Sequence, residues 1–546
     1  MRNIFYTLLL IICGSHVFVS SPISADEASR SWGDTFLPKS PTPARQIQVV
    51  HVYRLSADER IAITCLQSLV AREKPSIFLL RSEDDIHWLD WHKAKGYIDG
   101  YETVDDWKSL FTRHRHLAAG AVVPDRSLYQ GDLIALNVAS CEDLIVASQP
   151  LAAKLGLPVK IDLRDRFTTY NDGLKWIWST YQKRLNPHLC DFRAPGLIQH
   201  GTFDYAFQWR GLMFWISGSK DSIRPGASPQ AELQTVSKIL SQMPAGGVCV
   251  GFPALGEGEG IGEPPGVKLL SRYGKSLVCT NHRSNYSLLS GFRIARFTQP
   301  KQPPAPALDK KKIYIALVLS DGDNQILWPR FFRQFFEHPS HGKFPLAFGM
   351  GPAIRELQPG VARWYYEHAR PTTELIADVS GAGYMHPDHF AVECDNPDRV
   401  WSEFLSHTRR LMSAADLRTI RTVGGADRNI ERYVRALPEC HSIFADMGRY
   451  SGREGIDNLT YMMKLDDANE MPVFRAVTSW RYGKEGFYRE VREQVGEKRP
   501  AFVNGFVHCW TFGPDDIARI YENRDDDIVF VTPSQLAELY REATKM

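Results

Sequence analysis

The stretch "IYIALVLS", residues 313–320, places seven apolar residues before a serine and is followed at once by "DGDN". A run of this length, rich in Ile, Leu and Val and ended by turn residues, is typical of a β-strand that is buried on both faces. Strands of that kind belong to parallel sheets covered by helices. The stretch therefore predicts the start of an α/β domain.

Eight further strand-like runs follow it at regular spacing. They are "FPLAFGM", "ELIADVS", "LRTIRTV", "SIFADM", "LTYMMKL", "PVFRAVTS", "AFVNGFVHC" and "DIVFVT". Nine such runs with helical spacers, within about 235 residues, match the size and rhythm of a (β/α) barrel. We predict a C-terminal (β/α) barrel-like domain over residues 312–546, with a doubly wound open sheet as the alternative.

The part of the chain before the barrel also alternates between strand and helix patterns. "QIQVVHVYRL" is a β-branched strand pattern, and the helix-like "SADERIAITCLQSLVARE" follows it. Such alternation predicts βαβ units. We predict an N-terminal α/β domain over residues 45–167 and a second α/β segment over residues 168–300. The Pro- and Lys-rich residues 301–311 cannot build a core and are predicted to be a linker.

The first residues have the pattern of an export signal. Arg2 is followed by a short apolar run, residues 4–13, and Ser24 and Ala25 offer a small-residue cleavage site. We predict a signal peptide over residues 1–25 and a secreted or periplasmic protein. The apolar run is too short to span a bilayer, so no membrane span is expected.

Composition narrows the class of partner. Charged residues make up 23% of the chain and the formal net charge is +2, so no dominant field would attract nucleic acid. The 13 Trp and 21 Tyr suit stacking against sugars, although a large core also uses many aromatic residues. A carbohydrate partner fits these numbers, and no nucleic acid is expected.

Polar residues recur where the predicted barrel strands end, which is where barrel enzymes place their chemistry. Those residues are Asp321, Asp323, Asn324, Asp378, Asp446, His508 and Trp510. Any one of them is explained equally well by a turn or a helix cap. Their recurrence after several separate strands is the stronger indication of a site.

The segment "SGAGYMHP" resembles the signature of the GxGYxYP family of putative glycoside hydrolases. Gly381, Gly383, Tyr384 and Pro387 match the signature, and His386 stands where the family has tyrosine. "LVLSDGDN", "FVHCWTFGP", "LPVKIDLRDRF" and "SNYSLLSG" resemble other recurrent segments of that family. The resemblance covers most of the chain, and it implies an exported carbohydrate-active protein with a barrel-like C-terminal domain.

Glycoside hydrolysis by two carboxyl groups needs one protonated acid and one ionised group. The catalytic candidates are Asp321, Asp323, Asp378 and Asp446, with one of the first two paired with one of the last two. The substrate-binding candidates are Asn324, Gly381, Gly383, Tyr384, His386, His508, Trp510 and Glu263. Among these, Tyr384 and Trp510 are predicted sugar platforms, and Glu263 lies on an acidic, glycine-rich loop that either closes over the barrel mouth or is simply solvated.

Two alternatives stay open at this point. A metal-dependent enzyme similar to polysaccharide deacetylases would use His386, His389 and Asp323 as ligands. A non-catalytic glycan-binding protein would keep Trp510 and Tyr384 but need no acid pair. The leading interpretation, a hydrolase, requires neither a metal nor a cofactor.

Overall fold

The computed structural model describes residues 33–446, 460–466, 470–478 and 484–545. The predicted signal peptide lies outside the described residues. Within them, no helix is both long enough and apolar enough to cross a bilayer.

Three small parallel sheets precede the barrel. The first sheet has the order β2-β1-β3, the second β5-β4-β6 and the third β10-β9-β7-β8. Their strands are β1 (Gln46–His51), β2 (Ile77–Leu80), β3 (Gly100–Thr103), β4 (Ala121–Val123), β5 (Ile145–Val146), β6 (Val159–Asp162), β7 (Leu189–Phe192), β8 (Leu212–Phe214), β9 (Val248–Gly251) and β10 (Ser276–Cys279). Their helices are α1 (Ala57–Glu73), α2 (Ile86–Ala94), α3 (Ser109–Arg113), α4 (Gly131–Glu142), α5 (Gln149–Lys154), α6 (Tyr170–Tyr181), α7 (Pro195–Ile198), α8 (Asp204–Gln208), α9 (Pro229–Gln242), α10 (Glu263–Arg272) and α11 (Tyr286–Leu289).

The segment predicted as one N-terminal domain, residues 45–167, thus contains two sheets. Helix α6 packs closely on α4. A Cβ placed on Gly173 of α6 would lie only 2.2 Å from Ile134 Cδ1 of α4. Helix α6 therefore belongs with the second sheet, although it follows residue 167 in the chain. The division of the chain into domains stays a prediction.

The C-terminal part forms one large sheet. Its strands are β11 (Ile313–Ser320), β12 (Leu346–Met350), β13 (Thr373–Ala377), β14 (Thr419–Val423), β15 (Ser442–Asp446), β16 (Thr460–Lys464), β17 (Glu470–Thr478), β18 (Ala501–His508) and β19 (Ile528–Phe530). Its helices are α12 (Arg333–Phe336), α13 (Ile354–Leu357), α14 (Pro359–His368), α15 (Pro397–Ala414), α16 (Asp427–Ala436), α17 (Phe487–Val495), α18 (Pro514–Glu522) and α19 (Pro533–Thr544).

All nine predicted strand runs are strands, and the predicted fold class is confirmed. Parallel pairings run in the order β12-β13-β14-β15-β17-β18-β11, and β11 pairs with β12 as well, so the pairings return to their start. Strand β19 pairs with β11 outside this ring, and β16 pairs with β17 in antiparallel fashion. The result is an irregular (β/α) barrel.

Alternate residues of the barrel strands fill its interior. Tyr314 and Val318 of β11 share one buried apolar cluster with Phe474 of β17 and Phe502 of β18. Leu536 of α19 belongs to the same cluster. Because strand residues alternate between the two faces of a sheet, this cluster marks the inner face. Helix α19 therefore closes the amino end of the barrel.

The predicted linker lies against that closed end. Thr532 Oγ1 donates to Gln302 Oε1 at 2.7 Å, and Gln535 Nε2 donates to the Pro303 carbonyl at 3.0 Å. Leu308 packs on the interior cluster, whereas residues 309–311 are exposed. The linker is thus held along most of its length.

The carboxyl ends of the strands meet in one region. Arg81, which follows β2, donates to the carbonyl of His282, which follows β10. Cys279 at the end of β10 donates through Sγ to Asp323, which follows β11, at 3.6 Å. Parallel sheets bind ligands at the carboxyl ends of their strands. The site is therefore expected where the first and third sheets face the barrel mouth.

Candidate active site

Three of the four predicted catalytic carboxylates gather at the barrel mouth. Asp321 and Asp323 follow β11 and Asp378 follows β13, and the charges of Asp321 and Asp378 both act on Asp323. Glu263, at the start of α10, acts on Asp321 and Asp323 as well. Asp446 ends β15 opposite Val423, and its side chain lies outside the described part of the structure.

Asp378 is an internal ion-pair partner. Its Oδ1 accepts from Arg421 Nε at 2.5 Å, and its Oδ2 accepts from Ser320 Oγ at 2.8 Å. Only 1% of the residue is exposed, and Gly349 makes room for it, since a Cβ there would lie 2.2 Å from Asp378 Oδ2. Both oxygens are occupied inside the protein. This argues against the predicted direct catalytic role and favours a role in placing Arg421 and setting the local charge.

Asp323 has the environment of a protonated carboxyl group. Burial, together with the negative charges of Asp321 and Asp378, raises the pKa of Asp323 well above its usual range. The thiol of Cys279 donates to its Oδ2. A carboxyl group that keeps its proton at neutral pH can donate that proton to a substrate.

Asp321 differs from Asp323 because Trp510 donates a hydrogen bond to it. Burial raises the pKa of Asp321 to about 6, and the hydrogen bond from Trp510 Nε1 to its Oδ2, at 2.5 Å, opposes that rise. At pH 7 this group is therefore mostly ionised. The φ angle of Asp321 is +83°, a region that non-glycine residues rarely occupy and that is often found at functional sites. The pKa values of both carboxyl groups on this loop are thus raised, and the hydrogen bond from Trp510 favours the ionised form of Asp321.

An aromatic surface borders Asp321. Trp510 is 54% exposed, and its ring centroid lies 5.6 Å from that of Phe331. His508 ends β18 directly opposite Ser320 of β11. Burial, with a smaller contribution from the charge of Arg421, lowers the pKa of His508 to about 4, so its ring is neutral at pH 7. Trp510 and His508 both lie at the mouth, where the sequence predicts them.

The signature segment joins the barrel to the third sheet. Leu277 N donates to the Tyr384 carbonyl at 2.8 Å, and Tyr384 N donates to the Leu277 carbonyl at 2.7 Å, which forms an antiparallel bridge to β10. The Tyr384 hydroxyl donates to Glu263 Oε1 at 3.0 Å. Because only 4% of Tyr384 is exposed, the prediction of a sugar platform there has to be corrected. Its ring is buried inside the protein, and its hydroxyl holds Glu263 through the hydrogen bond.

The two signature glycines allow this close packing. Gly381 has φ +120°, and a Cβ there would lie 2.5 Å from Thr408 Oγ1. A Cβ on Gly383 would lie 3.1 Å from the Leu277 carbonyl oxygen. Both residues are buried. Their predicted contact with substrate is therefore replaced by contact between two parts of the chain.

His386 is buried behind the signature segment and is not placed for the predicted substrate contact, since 3% of it is exposed and its backbone N donates to Ser271 Oγ at 3.0 Å. Its ring centroid lies 6.3 Å from that of His389. Among the residues that the structure describes, no group of three or more His, Cys, Asp or Glu side chains could hold a metal ion. The ligand set of His386, His389 and Asp323 is thus not assembled.

Asn324 and Glu263 are the other two predicted binding residues. The amide group of Asn324 shapes the loop after β11, because its Oδ1 accepts from Ile326 N at 3.4 Å. Glu263 begins a helix rather than lying on a free loop. Since it acts on both Asp321 and Asp323, the N-terminal part of the chain contributes to the site.

Sequence reasoning missed Arg421 and Cys279. Arg421 lies inside β14, a strand that is buried at every position, and a charge inside such a strand is a signal for a buried ion pair. Cys279 ends β10, which on sequence alone looks like any other buried strand. Only the packing of the third sheet against the barrel reveals its contact with Asp323.

Family models match three consecutive parts of the chain. They are the GxGYxYP_N second domain at residues 118–185, the GxGYxYP third domain at residues 188–291, and the "GxGYxYP putative glycoside hydrolase C-terminal domain" at residues 311–541. These ranges contain the second sheet, the third sheet and the barrel respectively. No curated protein has a matching sequence.

One solved structure confirms the fold, and two others resemble only part of the chain. A crystal structure described as a "putative hydrolase" from Bacteroides thetaiotaomicron VPI-5482 has a TM-score of 0.76 at 19% identity, covering 95% of this chain and 98% of that chain. A "putative polysaccharide deacetylase" from Mycobacterium smegmatis covers 46% of this chain and 96% of that chain at 13% identity and a TM-score of 0.32. The peptidoglycan deacetylase PdaC from Bacillus subtilis covers 44% of this chain and 97% of that chain at 15% identity and a TM-score of 0.25. The last two TM-scores are too low to establish a common fold. With three of its domain models matched in order over residues 118–541, the chain belongs to the GxGYxYP family.

Proposed function

We propose that this protein is a glycoside hydrolase in which Asp323 is the proton donor and Asp321 the ionised partner. The observation that carries the proposal is a pair of carboxyl groups at the mouth of a (β/α) barrel: burial and neighbouring charges raise the pKa of Asp323 well above its usual range, and Trp510 donates a hydrogen bond that favours ionised Asp321. Cleavage of a glycosidic bond needs one group of each kind. The family description of the C-terminal domain supports the same reaction class.

In this mechanism Asp323 transfers its proton to the glycosidic oxygen as the bond to the anomeric carbon breaks. Asp321 either attacks the anomeric carbon, which forms an ester that water then hydrolyses with Asp323 as the base, or takes a proton from the water that attacks this carbon. The hydrogen bond from Trp510 keeps Asp321 ionised and fixes its orientation. The exposed Trp510 ring offers a surface on which a sugar can stack. Arg421 and Asp378 form a buried ion pair, and the charges of both residues act on Asp321 and Asp323.

The purified protein is incubated with a panel of neutral and acidic polysaccharides, and hydrolysis is measured as the appearance of new reducing ends. Activity that disappears in Asp323→Asn supports the proposal. Sugar binding without new reducing ends from any polysaccharide would contradict it, and would instead favour a glycan-binding protein that uses the exposed Trp510 surface.

We also propose that the protein is exported, with residues 1–25 removed. The support is the charged start, the short apolar run and the small residues before Asp26. Expression of the full chain in a bacterial host and mass spectrometry of the secreted or periplasmic fraction should give an N-terminus near Asp26. Material that still carries Met1 in that fraction would contradict the proposal.

A further inference from the structure

A cluster of arginine side chains lies beside the candidate active site, where the first and third sheets meet. Arg81 Nη1 donates to the His282 carbonyl at 2.7 Å, and Arg193 Nη1 donates to the Asn281 carbonyl at 3.0 Å. Arg283 follows directly in the same loop after β10. One short loop therefore gathers three guanidinium groups.

A fourth guanidinium group comes from the first turn of α1. The negative charge of Asp85 and the positive charges of Arg283 and Arg60 all act on Arg81. The charges of Arg81 and Arg60 both act on His200. Like charges are normally kept apart in a folded protein because their repulsion costs free energy. Their concentration here indicates a site that is built for negative charge.

The cations in this cluster outnumber the anions. Arg193 pairs with Asp191 at 3.0 Å and Arg283 pairs with Asp85 at 2.6 Å. Among the side chains that the structure describes, none carries a carboxylate at ion-pair distance from the third arginine, Arg81, although the charge of Asp85 acts on it. No described carboxylate lies at ion-pair distance from Arg60 either, and the side chains of Arg60 and Arg81 are only partly exposed. A partly buried charge is normally compensated by an opposite charge.

Several hydrogen-bond donors in the cluster also lack acceptors. Nε and Nη2 of Arg283 and Nε of Arg60 are buried and make no hydrogen bond to any described residue. The Arg283 side chain is 12% exposed. The hydroxyl of Tyr286, a residue that is 1% exposed, also lacks a partner, and the charges of Arg283, Asp204 and Arg193 act on it. A buried donor without an acceptor destabilises the folded protein. An anion with several oxygens is a ligand that accepts from donors of this kind.

We propose that Arg60, Arg81 and Arg283 bind the carboxylate or sulfate group of an acidic glycan. The planar guanidinium fork matches the oxygens of such groups. The glycan part of this inference rests on the proposed function, whereas the anion site itself does not. Inorganic sulfate and phosphate share the same chemistry, so the experiment separates them from an acidic sugar.

The cluster is close enough to the catalytic candidates for one glycan to reach both. Cys279 Sγ lies 3.6 Å from Asp323 Oδ2. His282, whose carbonyl binds Arg81, is three residues further along the chain, which spans about 11 Å at most. A glycan of several sugars could therefore place a charged sugar at the arginines while its scissile bond lies at Asp323.

The first arm of the test uses inorganic sulfate. Binding is measured by calorimetry on Asp323→Asn, in which turnover should be greatly lowered, and on the same protein with Arg60→Gln added. Arg60 makes no side-chain hydrogen bond or ion pair with a described residue, so its replacement should leave the fold intact. Arg409→Gln is the matched control, because it removes the same charge from an exposed pair with Glu439. We expect Arg60→Gln to weaken sulfate binding by about tenfold or more.

The second arm uses an array of glycans that carry carboxylates or sulfates, together with neutral ones. We expect the Asp323→Asn protein to retain acidic glycans, Arg60→Gln to lose them and Arg409→Gln to keep them. Sulfate binding that Arg60→Gln does not change would overturn the site. Sulfate binding without any retained acidic glycan would overturn the glycan assignment and leave an inorganic anion site. Acidic glycan binding without hydrolysis by the parent protein would overturn the proposed function alone.

Discussion

Trp510 follows β18 and Asp321 follows β11, 189 residues apart in the chain, yet the indole Nε1 donates to Asp321 Oδ2 at 2.5 Å. They meet because β11 and β18 are neighbours in the ring of strands. The pairing places an exposed aromatic ring and an ionised carboxylate side by side at the barrel mouth.

This contact predicts the effect of Trp510→Phe. The variant keeps an aromatic ring but loses the N–H that stabilises ionised Asp321, so the pKa of Asp321 should rise beyond about 6. The acidic limb of the pH profile of kcat/KM should therefore move to higher pH. Phe331→Leu is the control, because it changes the neighbouring ring and leaves the hydrogen bond intact. An unchanged profile in Trp510→Phe would show that Asp321 does not control the reaction.

Asp323→Asn should lower turnover by about a hundredfold or more, while sugar affinity stays within a fewfold of the parent. Asparagine keeps the size of the side chain but cannot donate the proton that the raised pKa of Asp323 preserves. Steady-state kinetics and calorimetry measure the two quantities separately. Asp398→Asn, at a side chain that is 80% exposed, should leave both unchanged. If turnover of Asp323→Asn stays within a fewfold of the parent, Asp323 is not the proton donor and only shapes the loop.

Asp321→Asn should make the protein more stable at neutral pH. Since the pKa of Asp321 is raised from 3.8 to about 6, the native state binds more protons than the unfolded state between these values, and the free energy of unfolding falls as pH rises through them. The variant escapes this loss and should exceed the parent by roughly 1–3 kcal/mol at pH 7, with the gain absent near pH 3. Urea denaturation at both pH values measures it. A parent that is the more stable at pH 7 would refute the assignment.

Gly381→Ala should destabilise the protein by roughly 2 kcal/mol or more, because the new Cβ meets Thr408 Oγ1 in addition to the strain of φ +120°. Gly96→Ala separates the two causes, since Gly96 has φ +72° and nothing within 4 Å of an added Cβ. Thermal unfolding of both variants gives the comparison. Equal losses would mean that the contact between the signature segment and α15 contributes nothing.

Limited digestion with trypsin should cut first after Lys310 or Lys311, which lie in the exposed residues 309–311. The two fragments should nevertheless elute together, because the bridge between Leu277 and Tyr384 and the shared apolar core hold them. Gel filtration under native conditions followed by mass spectrometry tests this. Fragments that separate without denaturant would show that the two parts are independent.

The barrel could be predicted from the sequence because its strands are long apolar runs with regular spacers. The division of residues 45–167 into two sheets could not, since β5 has two residues and β3 is largely exposed and polar. Strands that short leave no period to detect.

The candidate site was predicted in part. Asp321 and Asp323 stand beside an obvious strand end, so their position follows from the fold class alone. The burial of Tyr384 depends on a contact with β10 from a distant part of the chain, and no local pattern encodes it. For the same reason Arg421 could be seen as unusual in a buried strand, but its partner Asp378 could not be identified.

Helix α19 has a consequence for how the protein is made. It fills the amino end of the barrel, but it follows every barrel strand in the chain and so leaves the ribosome after all of them. Until then Tyr314, Phe474 and Phe502 lack the side chains of α19, although Leu308 of the linker packs on the same cluster. A nascent barrel without α19 exposes an aromatic surface to other chains, and it is the stage of synthesis at which chaperone binding should matter most.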